Sequence, residues 1–253
     1  MLPRAPSFSL NGKTALITGG GRGIGLAAAA ALAQAGAAVT LVARSADELV
    51  HASRLINEAG GSSRYIALDV TDARAVSTTF ADHGPYDILV NCAGTNRPKP
   101  FVEVTDEDID AIIDLNVKSV FHVSRAVAKD MLRAGIAGSI INVSSQMGHV
   151  GSPKRTVYCA SKHAIEGMTK ALAWELGPHG IRVNTVCPTF IETAFTASMF
   201  DAPAFRDWVT QRIALGRVGR VEEVTGAIVF LASEASTLMT GSALMLDGGW
   251  TAA

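Results

Sequence analysis

The chain has 253 residues, 48% of them hydrophobic and 18% charged, with a net charge of −1. That length and apolar content predict one domain over 1–253 with a sizeable core. The near-zero charge excludes recognition of nucleic acid or an anionic membrane surface through a basic excess. Cys92, Cys159 and Cys187 are too few and too widely spaced for a disulfide framework or a zinc pattern. The first twelve residues lack the apolar stretch of a signal peptide, so the cytoplasm is the expected location. The uncharged run 23–43 is Ala-rich and broken by Gly36, which reads as a helix followed by a strand, not a bilayer span.

The first strand, Thr14–Thr18, runs into Gly19-Gly20-Gly21-Arg22-Gly23-Ile24-Gly25, and a helix over Gly23–Ala35 follows at once. Such a turn lets backbone approach a pyrophosphate, and the helix N-terminus offers it unpaired N–H groups. Strand Ala38–Ala43 ends in Arg44-Ser45 with no carboxylate. A ribose hydroxyl is usually held by Asp or Glu at that place, whereas a 2′-phosphate suits Arg. NADP(H) is therefore the expected cofactor and NAD(H) the alternative, with Arg22 as a second cation. Helix Ala46–Ala59, strand Arg64–Leu68, the pair Asp69-Val70 and helix Ala73–Asp82 come next. Strand Ile88–Asn91 opens onto Cys92-Ala93-Gly94, and one long helix, Asp106–Ala134, carries Asn116. Strand Ser139–Val143 ends in Ser144-Ser145, and helix Val157–Leu176 holds Tyr158 and Lys162 four positions apart, on one face. Strand Arg182–Val186 leads into Pro188-Thr189-Phe190-Ile191-Glu192-Thr193, and helix Val221–Ala232 and strand Ala243–Leu246 close the chain. The alternation predicts an α/β, single-domain, Rossmann-type doubly wound parallel sheet of about seven strands, with helices on both faces. Segment 192–217, rich in Phe, Met and Trp, interrupts the rhythm and is expected to form a lid over a ligand.

These motifs resemble those of the short-chain dehydrogenase/reductase family along essentially the whole chain: a TGxxxGxG turn, an NNAG-like Asn91-Cys92-Ala93-Gly94, and an Asn-Ser-Tyr-Lys set at Asn116, Ser145, Tyr158 and Lys162. Two positions depart from the family pattern, Cys92 for Asn and Thr189 for the Gly that usually follows Pro. The resemblance implies that Asp69 contacts adenine, that Asn116 helps hold a proton-relay water, and that Thr193 contacts the nicotinamide carboxamide or the phosphates. It implies cofactor contacts at Gly19, Gly21, Arg22, Gly23, Ile24, Gly25, Arg44, Ser45, Asp69, Val70, Asn91, Ala93, Gly94, Tyr158, Lys162, Pro188, Thr189, Ile191 and Thr193. A homotetramer, or a homodimer, is the assembly it implies.

The chemistry expected is hydride transfer between a secondary alcohol or ketone and the cofactor. Ser145 would polarise the substrate oxygen and Tyr158 would exchange a proton with it. A phenol titrating near 10 is poorly matched to neutral pH, and the Lys162 ammonium is expected to lower it. Substrate contacts are expected at Asn96, Ser145, Gln146, Met147, Arg155, Phe190 and Phe195, with Arg97, His149 and Trp208 as further candidates. The polar members favour a sugar, sugar acid or polyol, and the aromatic ones suit a 3-oxoacyl thioester. A cofactor-sensing regulator without catalysis is the reading from another class. No metal is expected, because the six histidines show no metal-ligand spacing.

Overall fold

The structure, a computed structural model, describes residues 2, 4–194 and 196–252. Its strands are β1 (Thr14–Thr18), β2 (Ala38–Ala43), β3 (Ser62–Ala67), β4 (Ile88–Asn91), β5 (Ser139–Val143), β6 (Arg182–Pro188), β7 (Ile191–Glu192), β8 (Gly219–Arg220) and β9 (Ala243–Leu246). Seven of them form a parallel sheet in the order β3-β2-β1-β4-β5-β6-β9, and β7 pairs separately with β8. The order reverses between β1 and β4, and in open α/β sheets ligands bind at such a switch point, beyond the carboxyl ends of the strands.

Between the strands lie α1 (Gly23–Gln34), α2 (Ala46–Glu58), α3 (Ala73–His83), α4 (Asp106–Ile113), α5 (Ser119–Ala134), α6 (Thr156–Leu176), α7 (Pro203–Thr210) and α8 (Glu222–Ala232). Alternate side chains of a strand face opposite ways, so β1 feeds both layers. Ile17 packs with Leu32, Leu41 and Ile228 under α1, α2 and α8. Leu16 packs with Phe80, Val127 and Leu176 under α3, α5 and α6. No helix among the described residues is long and apolar enough to cross a membrane.

Three details differ from the sequence expectation. β3 begins two residues earlier than expected, because Ser62 pairs with Ala38 at the start of β2. It is an edge strand with Arg64 and Tyr65 exposed, unlike the largely buried β1, β4 and β5. β6 continues to Pro188, which holds its register beside Leu246; a proline is tolerated at a strand end, where its missing N–H leaves no ladder bond broken. The long helix is interrupted at Asp114–Lys118 by a π turn, in which the Ser119 N–H reaches back to the Asp114 carbonyl. Such insertions frequently mark functional sites, and this one holds Asn116.

Candidate active site

A cavity of about 530 Å³ runs along the carboxyl ends of β1, β2, β4, β5 and β6, within the size range of small-molecule sites. The glycine turn forms one wall. Gly19 and Gly23 have φ of +68° and +56°, and a methyl on Gly25 would lie 2.1 Å from the Gly19 carbonyl oxygen. Gly25→Ala should therefore distort the turn by roughly 1–3 kcal/mol and weaken NADPH binding at least tenfold in a fluorescence titration. Unchanged affinity would reject this close approach. Thr18, a residue to which the sequence assigned no role, ties the turn to the next strand end: its hydroxyl accepts from the N–H groups of Cys92 (3.1 Å) and Ala93 (3.2 Å).

At the far end, Arg44 and Ser45 are exposed on the cavity rim after β2. The Ser45 hydroxyl accepts from the Glu48 N–H as the N-cap of α2, and its own proton remains available to a ligand. Arg22, expected as a second phosphate cation, lines the cavity and is paired there with Glu48 at 3.3 Å. Glu48 itself lines the cavity and had no motif to reveal it. Arg44 makes no ion pair among the described residues; the Thr71 N–H bonded to Asp69 Oδ1 holds Asp69 below the usual carboxylate range, and the Arg44 charge adds to this.

The chemical end is built from β5 and α6. Ser145, Tyr158 and Lys162 all line the cavity. The Ser145 hydroxyl donates to Gln146 Oε1 (2.8 Å) and acts to lower the Tyr158 pKa. Lys162 donates to the Val143 carbonyl (2.8 Å), with its ammonium 5.6 Å from the centre of the Tyr158 ring. Contrary to expectation, burial outweighs the Ser145 hydroxyl and pushes the phenol up to about 12, and burial also draws Lys162 down to about 8. Both charged forms lose solvation, and the ammonium is turned toward a carbonyl rather than the phenol oxygen.

Asn116 stands behind this group and outside the cavity wall. Its amide clamps the backbone N–H and C=O of Thr95 (2.8 and 2.9 Å) and donates to Ser161 (3.1 Å). Its Oδ1 and Lys162 Nζ flank Gly94, where a Cβ would meet them at 3.3 and 3.9 Å. Asn91 corrects the sequence reading. It does not line the cavity; its buried amide donates to Ser124 and Asn142 (2.9 Å each), and Asn142 continues to Thr169. It braces the strand ends from beneath. The other expected cofactor contacts, Gly21, Ile24, Val70, Ala93, Pro188, Thr189, Ile191 and Thr193 among them, line the wall.

Asn96, Gln146, Met147, Arg155 and Phe190 also line the cavity, whereas Phe195 lies outside the described residues. Trp208 and Arg97 are not brought there. Trp208 stacks on Phe205 (5.9 Å between centroids) in a cluster with Phe190, Phe200 and Trp250, and Arg97 pairs with Asp108 (3.2 Å). Three residues distant in sequence do converge nearby: His149, Glu166 and Cys187 place one donor atom each within 4.8 Å of one another. Their chain spacing hid this group. It is linked by Cys187 donating to Glu166 Oε1 (3.3 Å) and Thr185 donating to Oε2 (3.0 Å).

A switch-point cavity with a glycine turn at one end and a Ser-Tyr-Lys group at the other defines a nucleotide-dependent oxidoreductase acting on CH–OH groups. The family model described as Enoyl-(Acyl carrier protein) reductase matches residues 19–251. The chain is 40% identical over 245 residues to the D-erythrulose reductase of Gallus gallus, covering 97% of this chain and 98% of that one. It is 40% identical over 248 residues to the gluconate 5-dehydrogenase of Gluconobacter oxydans (strain 621H), covering 96% of each. The crystal structure of a gluconate 5-dehydrogenase from Burkholderia cenocepacia J2315, in complex with NADP and tartrate, superposes with a TM-score of 0.94 at 37% identity, covering 97% of this chain and 98% of that one. The chain belongs to the short-chain dehydrogenase/reductase family.

Proposed function

We propose that this protein interconverts a secondary alcohol and a ketone on a sugar, sugar acid or polyol, using NADP(H). The observation that carries the reading is the convergence of Ser145, Tyr158 and Lys162 at one end of a cavity whose other end presents an unpaired Arg44. The residues present fit the dinucleotide. The turn keeps bare backbone where a side chain on Gly25 would clash with the Gly19 carbonyl, and the buried Thr189 hydroxyl on the cavity wall lacks a partner among the described residues. Arg44 and Ser45 would hold the 2′-phosphate, Asp69 and Val70 the adenine, Gly19–Gly25 and Thr193 the pyrophosphate, and Lys162 the nicotinamide ribose. NAD(H), lacking the phosphate, would leave Arg44 without a partner.

A nicotinamide held there would supply or accept the hydride. Within the protein, Ser145 donates a hydrogen bond to the substrate oxygen, and the Tyr158 hydroxyl gives that oxygen a proton in reduction or removes one in oxidation. Asn116 acts through the backbone of Thr95, fixing the loop that carries Gly94 beside Lys162. Lys162→Met should lower kcat and move the acid limb of alcohol oxidation upward by roughly one to two pH units, because an ammonium at about 6 Å favours tyrosinate. A limb that stays in place would remove Lys162 from the tuning of Tyr158.

The substrate end supports a polar substrate. Asn96 Oδ1 and Gln146 Nε2 are buried beside the cavity without partners among the described residues, and buried polar groups call for hydrogen bonds. The aromatic side chains that would suit an acyl chain pack mainly on one another, with Phe190 the member on the wall, which disfavours the 3-oxoacyl thioester. A sensor without catalysis has no use for Tyr158 and Lys162 in this arrangement. Segment 192–217 acts as the cover: Thr193, Ala194, Thr196 and Met199 face the cavity while Phe200 and Phe205 pack outward onto Phe190. Three free cysteines suit a reducing compartment such as the cytoplasm. Exposed Phe101, Val102, Ile109, Phe121 and Trp174 favour assembly, as a homotetramer or homodimer, through α4–α5 and α6. Incubation with NADPH and a panel of ketoses and keto-sugar acids tests the reading. Cofactor oxidation is expected with at least one of them, and none with the whole panel would overturn it.

A further inference from the structure

Arg155 is a guanidinium only 7% exposed that lines the cavity. Among the described residues its side chain makes a single hydrogen bond, from Nη1 to the Pro153 carbonyl at 3.4 Å, although guanidinium carries five N–H donors. Among the described residues no carboxylate lies within ion-pair distance of it. Instead its Cζ lies over two aromatic rings, 5.5 Å from the centroid of Phe190 and 5.4 Å from that of Phe205. Two ring faces immobilise the side chain without satisfying its N–H groups. A buried charge without a counter-ion is costly, and burial accordingly draws the Arg155 pKa down.

The backbone leading to Arg155 is also unusual. Lys154 has φ of +61°, the one non-glycine residue with positive φ among those described, and its carbonyl is held by the Lys99 N–H at 3.0 Å. Such conformations cost on the order of 1–3 kcal/mol and persist where the surroundings enforce them, commonly at ligand sites. Arg155 precedes Tyr158 by three residues at the start of α6, and its charge reaches the phenol. Neighbouring cations are engaged elsewhere: Arg97 and Lys99 on Asp108, Lys162 on the Val143 carbonyl.

We propose that Arg155 is a carboxylate anchor and that the substrate is a sugar acid, a polyhydroxy chain ending in a carboxylate, in preference to a neutral ketose or polyol. This rests on the oxidoreductase reading of the same cavity. The carboxylate pairs with the planar guanidinium through two oxygens, while the hydroxyl to be oxidised, or the keto oxygen, lies one helical turn away at Ser145 and Tyr158. Asn96 and Gln146 take the intervening hydroxyls. The anchor touches no reacting atom, so its effect belongs in KM and selectivity.

The test compares kcat/KM for a six-carbon aldonate and for the alditol of equal length, both with NADP+, in wild type, Arg155→Gln and Arg155→Lys. Wild type is expected to prefer the aldonate at least 10-fold. Arg155→Gln is expected to bring that ratio close to one, a fall of at least 10-fold, mainly through KM for the acid, and Arg155→Lys to restore part of it, since an ammonium keeps the charge without the planar fork. Tartrate should inhibit wild type competitively against the alditol and inhibit Arg155→Gln far less. A wild type with no preference for the acid, a variant that loses acid and alditol alike, or stronger turnover of a hexitol phosphate would overturn the anchor while leaving the oxidoreductase reading intact. Failure of the oxidoreductase reading would look different, as no turnover of either sugar compound in wild type. The tartrate inhibition of wild type tests the anchor even if the variants fail to fold.

Discussion

Replacing Tyr158 with phenylalanine is expected to lower kcat by about 10³-fold or more, in line with the upper range for loss of a positioned general acid or base. The substitution removes one oxygen and leaves the ring, which packs against the cluster of Met147, Phe190 and Val209, in place. NADPH affinity should therefore stay within a few-fold of wild type, because the glycine turn and Arg44 are untouched. Stopped-flow turnover together with a fluorescence titration reads both quantities. A variant that keeps a tenth of the wild-type kcat would remove Tyr158 from the proton transfer. The pH dependence has a definite sign. Tyr158 is held well above its ordinary value, so the neutral acid form dominates across neutral pH and favours ketone reduction. Alcohol oxidation needs the tyrosinate, so its rate should climb as pH rises, while reduction falls off only on the alkaline side.

Arg44→Asp is expected to reverse cofactor preference. Losing charge-assisted hydrogen bonds to a 2′-phosphate costs about 1.5–3 kcal/mol, and an aspartate there adds repulsion toward the phosphate while gaining a partner in the free ribose hydroxyls of NAD(H). The ratio of kcat/KM for NADPH over NADH should fall by roughly 10³-fold, at about 1.4 kcal/mol per factor of ten. Arg22, paired with Glu48 at 3.3 Å, is expected to compensate for only part of the loss. Unchanged ratios would show that Arg44 is a solvated strand-end residue and would move the phosphate site elsewhere. Glu48→Gln supplies an internal control: freeing Arg22 from its carboxylate should tighten NADPH modestly.

Much of the fold and the chemical group was legible before any coordinates. β1, β2, β4, β5 and β9 coincide with the expected strands to the residue, because short apolar runs bounded by turns have one stable use in an alternating chain. The glycine turn and the Tyr158–Lys162 pair were equally readable, since backbone approach demands glycine and a helix aligns positions four apart. Edges were less legible. β3 carries Ser62, Arg64 and Tyr65 outward, and only its register against β2 shows where it begins. The π turn at Asp114–Lys118 left no trace in the periodicity, because one widened turn shifts the pattern by a single residue.

The sequence by itself determined the layered parallel sheet, the glycine turn after β1, the helical spacing of Tyr158 and Lys162 and the absence of a carboxylate at the end of β2. Each is set by residue type at a fixed spacing along the chain or by the order of its elements. Only the tertiary structure decided which charges remain free. It pairs Arg22 with Glu48 and Arg97 with Asp108, withdraws Asn91 beneath the strands, and leaves Arg155 held between aromatic rings without a counter-ion. Ion pairing and burial depend on side chains brought together from distant parts of the chain, and no spacing in the sequence records that distance.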